Sequence, residues 1–262
     1  MKFNKKAALA LSVVGLVTAS ASSFAVPELT YNPTNYPVQI VDPFVSFDWN
    51  DSGVAITEGF NTLGNPFTTT FWADATSINS GAAGTGLESA GDAGGGEFTI
   101  KAVITETAVS LGPGVASFAA TGGTFDIYFD PLANIDLVSG AGVTDGDLVI
   151  SGNILPGFAG VFAAGSATSG SGSFNFNGVV DFSNPLYLDP ELAQTIAGSL
   201  LLFMDSETAA ATDPVTGLPG DNGASGSLPA EFIQFQADAT QSFSVVPVPA
   251  TVLLIGLGML GL

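Results

Sequence analysis

The sequence predicts an all-β protein, an antiparallel β-sandwich-like domain carried between two apolar ends. Short runs of alternating apolar and polar residues recur along the body of the chain. Gly, with 33 residues, and Asn, Asp and Ser punctuate those runs. No long segment repeats apolar residues at helical spacing. Period-two alternation bounded by turn residues is the signature of half-buried strands, and many short strands with Gly-rich turns build sandwiches or related β folds.

In chain order, the first element is a leader. Lys2, Lys5 and Lys6 precede a small and apolar run from Ala7 to Val17, and small residues then align as Ala19-Ser20-Ala21 and Ser23-Phe24-Ala25. A basic start, a short apolar stretch and a small-x-small site define a secretion signal. The apolar run falls short of the roughly 20 residues that span a bilayer. Cleavage between Ala25 and Val26 is preferred over cleavage after Ala21, because it leaves Val26-Pro27-Glu28 as an extended, polar start. Residues 1–25 are thus assigned to a signal peptide and 26–245 to an exported acidic β domain.

Within that domain, Phe98–Ile104 alternates small or polar with apolar side chains. Thr124–Asp130 places Phe125, Ile127 and Phe129 on one face and Asp126 and Tyr128 on the other. Ser173–Asn177 repeats the pattern, and Asp147–Ser151, Leu200–Met204 and Gln241–Val245 are further short strands. Pro190–Ile196 is expected to form one short helix, with Asp189 as its cap and Pro190 at its first position. Ser80–Gly96 and Ser206–Ser227, rich in Gly, Ala and Ser, read as loops that bury too little to order themselves strongly. No internal repeat of fixed period is evident, which disfavours a solenoid.

Composition excludes several function classes. The chain has no His, Cys or Arg, and so no imidazole base, no thiol nucleophile, disulfide or soft-metal site, and no bidentate phosphate clamp. Beyond the leader, 24 acids face a single base, Lys101, for a formal charge of −23. Such a surface repels nucleic acid and repels itself unless cations screen it.

Carboxylates are the chemical resource that remains. Asp126, Asp130, Asn134 and Asp136 gather near one strand end, and Asp145 and Asp147 flank Gly146 shortly after. Calcium takes six to eight oxygens from such loop Asp, Asn and carbonyl groups, so these six residues form a candidate calcium site, although the EF-hand spacing is absent. The competing reading is a solvated acidic loop edge. Asp205, Glu207, Asp213 and Asp221 form a second acidic group. Paired acids also serve glycoside hydrolysis, but acids in turns and on outward strand positions are normally solvated. Lys101 on a strand suggests either an isopeptide bond to an Asn assisted by Glu106, or an exposed Lys that blunts sheet-edge pairing. Trp49, Trp72, Tyr128 and Tyr187 are candidate platforms for sugar stacking, with at least one member of each neighbouring aromatic pair at Trp49 and Trp72 expected in the core.

The C-terminus reads Val246-Pro247-Val248-Pro249-Ala250, then TVLLIGLGMLGL, uncharged to Leu262. The prolines force an extended break. Ala250–Leu262 as a helix would cover roughly 20 Å at about 1.5 Å per residue, short of a hydrocarbon core of about 30 Å. A C-terminal strand or packed helix is the competing assignment.

This terminus resembles the PEP-CTERM sorting signal of exported bacterial proteins. Val246, Pro247 and Pro249 match its motif, Val248 stands where Glu is usual, and Ala250 with the Leu/Gly-rich run also fits. The family's terminal cluster of Arg or Lys is missing up to Leu262, so either the sequence is incomplete or the signal is degenerate. The resemblance implies that residues 246–262 are a sorting motif and partial membrane helix, read by an exosortase-type enzyme, and that the protein is cargo held transiently at the membrane. The body resembles the flocculation-associated group of that family at Phe44–Trp49, at Gly123–Asp130 with its acidic loop, and at Gly172–Phe174. That implies a structural or adhesive role at the cell surface or in the extracellular matrix, beside exopolysaccharide. The alternative is a secreted calcium- or carbohydrate-binding module. A His-free hydrolase is a third reading.

Overall fold

The computed structural model describes residues 27–58, 63–79, 95–113, 115–164, 170–189, 194–204 and 232–245. They form thirteen strands: β1 (Glu28–Tyr31), β2 (Gln39–Val41), β3 (Ser46–Trp49), β4 (Gly53–Glu58), β5 (Pro66–Ile78), β6 (Glu97–Gly112), β7 (Val115–Asp130), β8 (Asp147–Ile154), β9 (Ala159–Ala164), β10 (Gly170–Ser183), β11 (Leu188–Asp189), β12 (Gln194–Met204) and β13 (Phe232–Val245). The expected leader with its Ala25–Val26 cleavage site, the segments 80–94 and 206–227, and the expected motif at 246–250 with the apolar tail lie outside the described residues.

Every pairing between these strands is antiparallel, and half of them join chain neighbours. β5 pairs β6, β6 pairs β7, β7 pairs β8 and β9, these pair β10, β10 pairs β12 and β12 pairs β13. β13 then pairs β3 and β4, which both pair β5. The all-β, antiparallel architecture expected from the sequence is present. Its main sheet closes on itself as an eight-position barrel instead of splitting into two sheets. Two positions are each filled by a broken strand. β3 and β4 run in line beside β5, separated by Asn50–Ser52, where the Asn50 side chain accepts a bond from the Ser52 amide at 2.9 Å. β8 and β9 run in line between β7 and β10.

A separate sheet, ordered β11-β1-β2, covers one end. β1 turns Leu29 and Tyr31 inward and leaves Glu28 and Thr30 half-buried. The Tyr31 ring meets Phe98 at 5.1 Å and Phe129 at 5.4 Å, both edge-on. Leu29, Tyr31, Phe44 and Leu188 join the same apolar cluster as the barrel interior. Phe is the commonest residue of that interior, with Phe47, Phe71, Phe98, Phe125, Phe129 and Phe174 all buried. Such rings bury large apolar areas and favour the tilted and edge-on contacts seen here.

The expected face assignment on β7 holds, with Phe125, Ile127 and Phe129 buried and Asp126 and Tyr128 half-exposed. The expected helix at Pro190–Ile196 is contradicted over its last three residues, since Gln194–Ile196 belong to β12, paired to Val245, Ser244 and Phe243, while 190–193 lie outside the described residues. At Gln194–Ile196 the ladder to β13 outweighs the local helix signal. The end of the expected Ser80–Gly96 loop is also ordered, since Gly95 and Gly96 are buried and the Gly95 carbonyl accepts from Ala133 at 3.1 Å.

Candidate functional site

A second, smaller cluster lies outside the barrel wall. Residues 131–146 fold back over β4–β6 and bury Ile135 and Val143 against Val54 and Trp72. Polar bonds hold this loop down. The Trp72 indole N–H donates to the Leu137 carbonyl at 3.0 Å, and Thr99 Oγ1 donates to the Val143 carbonyl at 2.6 Å. Glu97 accepts the backbone N–H groups of Asn134 and Ile135 at 2.9 and 3.0 Å. Burial pushes the Glu97 carboxyl up to about 7 despite those bonds, and the charges of Asp74 and Asp130 add to the rise.

The six residues proposed for calcium separate across this region. Asn134 Nδ2 donates to Asp130 and to Asp145, each at 3.2 Å, so these three meet. Asp136 caps its own turn, accepting from the Val138 amide at 2.9 Å and the Ser139 hydroxyl at 2.6 Å, and the Ser139 bond holds its carboxyl below the usual range. Asp147 accepts the Tyr187 hydroxyl at 2.7 Å, while burial raises that phenol. Asp126 lies on β7 opposite Lys101. Gly146 is required where it stands, because a Cβ there would sit 2.5 Å from the Phe129 carbonyl oxygen. Among the described residues, no group of three or more acidic side chains is arranged to hold a metal ion.

The aromatic candidates also sort by position. Trp49 is inside the barrel, Trp72 lies beneath the 131–146 loop, and both are buried, which removes them as sugar platforms. Tyr187 is half-buried, with its ring 5.7 Å from Phe129. Tyr128 remains on the outer face. The isopeptide idea fails on direction. Lys101 is exposed on the outer side of β6, whereas Glu106, on the opposite parity, points inward and accepts from Thr69 Oγ1 at 2.6 Å.

The outer face of β6, β7, β8 and β10 gathers the remaining chemistry. One row runs Lys101, Asp126, Ser151, Phe182 across the four strands. The next runs Val103, Thr124, Asn153, Val179. At about 4.8 Å between strands, each row spans roughly 14 Å. Tyr128 stands two residues beyond Asp126 on the same face. Asn153 Nδ2 donates to the Asp181 carboxylate. Burial raises the Asp126 carboxyl and Lys101 opposes that rise. Burial also raises the Tyr128 phenol, with Asp126 adding to it.

Sequence reasoning missed Phe182. Its parity with Phe174, Phe176 and Val180 assigns it to the interior, but the register shifts between Val180 and Phe182. This bulge leaves Phe182 42% exposed and buries Ser183 instead. No local signal marks this bulge, because an acid at Asp181 fits the outward position that alternation gives it beside Asn175 and Asn177. The face therefore defines a class: a closed antiparallel barrel displaying two aromatic rings among carboxylate, amide, hydroxyl and ammonium groups on one wall. No protein-family model, curated protein or solved structure significantly matches the chain.

Proposed function

We propose that this is an exported structural or adhesion protein of the cell surface or extracellular matrix. It is sorted by an exosortase-type system through Val246–Ala250, held transiently at the membrane by the apolar tail, and contributes to flocculation or biofilm beside exopolysaccharide. In this reading the chain is cargo and not a catalyst. The observation that carries the reading is the Lys101–Asp126–Ser151–Phe182 row with Tyr128 beside it. Aromatic rings among planar hydrogen-bonding groups suit sugar rings, which present apolar C–H faces and a hydroxyl rim.

The test is retention of the chain on immobilised polysaccharides, with a neutral glucan and an acidic uronan as probes. Phe182→Ala and Tyr128→Ala are each expected to weaken retention about three- to tenfold, the range of one ring contact. Unchanged retention in both variants would refute the polysaccharide role. Sorting is tested separately, since Pro247→Ala with Pro249→Ala should leave the tail uncleaved in the cell envelope.

The second reading, a calcium-binding module, is favoured by the convergence of Asp130 and Asp145 on the Asn134 amide. It predicts a saturable rise in melting temperature with micromolar to millimolar calcium, abolished by Asp145→Asn.

A further inference from the structure

We infer, resting on the polysaccharide reading above, that the polymer this outer face takes is an amino sugar carrying free ammonium groups. Tyr128 lies between two acids on β7, for Asp126 and Asp130 stand two residues to either side of it on the same outer face. Each is roughly 7 Å from Tyr128 along the strand, inside one screening length of about 8 Å at physiological salt. Asp181, on β10, is exposed on the same wall, where Asn153 donates to it. Phe182 beside it is 42% exposed. Three carboxylates and two rings thus share the face with one ammonium, that of Lys101, the register partner of Asp126.

Charge selects among sugar polymers. Beyond the leader, 24 acids face one base, so a uronan, itself a polyanion, meets repulsion as it approaches. A neutral glycan gains the ring contacts alone. An amino sugar gains them together with a charge-assisted hydrogen bond to a carboxylate, and its ammonium is also drawn to an aromatic face. Burial raises the Asp126 carboxyl more than Lys101 lowers it, so that carboxylate gains from a second cation beside it. Asp130 accepts from the Leu132 amide and the Asn134 side chain. Both donors are neutral and leave its charge uncancelled. Tyr128 and Phe182 lie two strands apart, roughly 10 Å across the sheet, so a chain of sugars and not a single ring meets both.

The experiment is calorimetric titration of the full chain at pH 6 and physiological salt. The probes are a β-1,4-linked glucosamine tetramer, its N-acetylated form and a uronic acid tetramer. The free-amine tetramer is expected to bind about tenfold more tightly than the acetylated one, and the uronate more weakly than either. Asp126→Asn should weaken the free-amine tetramer about three- to tenfold and leave the acetylated one unchanged. Asp51→Asn removes the same charge from the turn between β3 and β4, across the barrel from β8, and should change neither affinity by more than about twofold. Equal affinity for the free and acetylated tetramers would overturn the amino-sugar class and leave the polysaccharide reading standing. A loss in Asp51→Asn as large as in Asp126→Asn would overturn the site, because net charge alone would then be the binder. Failure of all three sugars to bind would refute the polysaccharide reading and the amino-sugar class with it. Should Asp126→Asn fail to fold, the native comparison of free and acetylated tetramers decides.

Discussion

Phe98→Ala is expected to cost the barrel about 3–5 kcal/mol, the range for deleting a fully buried Phe. Phe98 is 0% exposed and touches three rings, Phe129 at 4.9 Å and Tyr31 and Phe47 at 5.1 Å. Those three come from the wall, the covering sheet and the broken strand, so one truncation loosens three elements at once. Domains are stable by only about 5–15 kcal/mol, which makes this a large fraction of the whole. The urea midpoint reads the loss. Amide exchange reads its location, with β1 expected to lose protection first because Tyr31 loses its edge-on partner. Phe182→Ala, at the exposed bulge, serves as the control and should shift stability by no more than about 0.5 kcal/mol. A Phe98→Ala penalty below about 1 kcal/mol would mean that the end sheet does not rest on the barrel as described.

Raising the pH from 5.5 to 8 should destabilise the protein. Glu97 and Glu106 are buried, and desolvation lifts both carboxyls from 4.5 to about 7. At Glu106 the Thr69 hydroxyl opposes the shift without cancelling it. Thr69 shares its own oxygen with Thr57 at 2.8 Å, so the carboxyl ends a short hydroxyl chain inside the wall. Between the unfolded and folded values the native state keeps protons that the unfolded chain has released. Their stabilisation is fully present below about 4.5 and is lost as pH climbs to about 7. The slope is about 1.4 kcal/mol per pH unit for each group while both titrate.

Starting at pH 5.5 separates this effect from general self-repulsion, because ordinary surface carboxylates are by then ionised. Glu106→Gln cannot release a proton and still accepts the Thr69 bond, so it should roughly halve the slope and be more stable than the native chain at pH 8. The measurement is the urea midpoint against pH at fixed salt. A midpoint that rises from pH 5.5 to 8, or a Glu106→Gln slope equal to the native one, would contradict the placement of these carboxyls.

What the sequence discloses divides along physical lines. Alternation is local, so the strands containing Phe125, Ile127 and Phe129, or Phe174 and Phe176, are legible together with their buried faces. Pairing between distant segments is not. Nothing local announces that β13 meets β3 and β4, which is why the closed sheet could not be told from a sandwich. β1 has four residues and β2 three, too few for a periodic pattern to stand out.

The acidic residues show a different limit. Asp126, Asp130, Asn134, Asp136, Asp145 and Asp147 are close in sequence, but a strand, a turn cap and a tyrosine each claim one. Only Asp130, Asn134 and Asp145 meet through hydrogen bonds. Phe182 fails for a third reason. One extra residue at Asp181 reverses the parity on which face assignment depends.

The pairing of Ser46 with Ser242 has a consequence for how the molecule is made. A polypeptide emerging N-terminus first from its site of synthesis can zip successive hairpins as they appear. Until Phe232–Val245 arrives, however, it is an open ribbon with an unsatisfied row of amides and carbonyls on each flank, free to stick to its neighbours. Only the final segment seals it. A chain cut short anywhere before residue 232 is therefore an aggregation hazard and not a smaller working domain, and the interval between the first hairpin and the last strand is when a chaperone matters most.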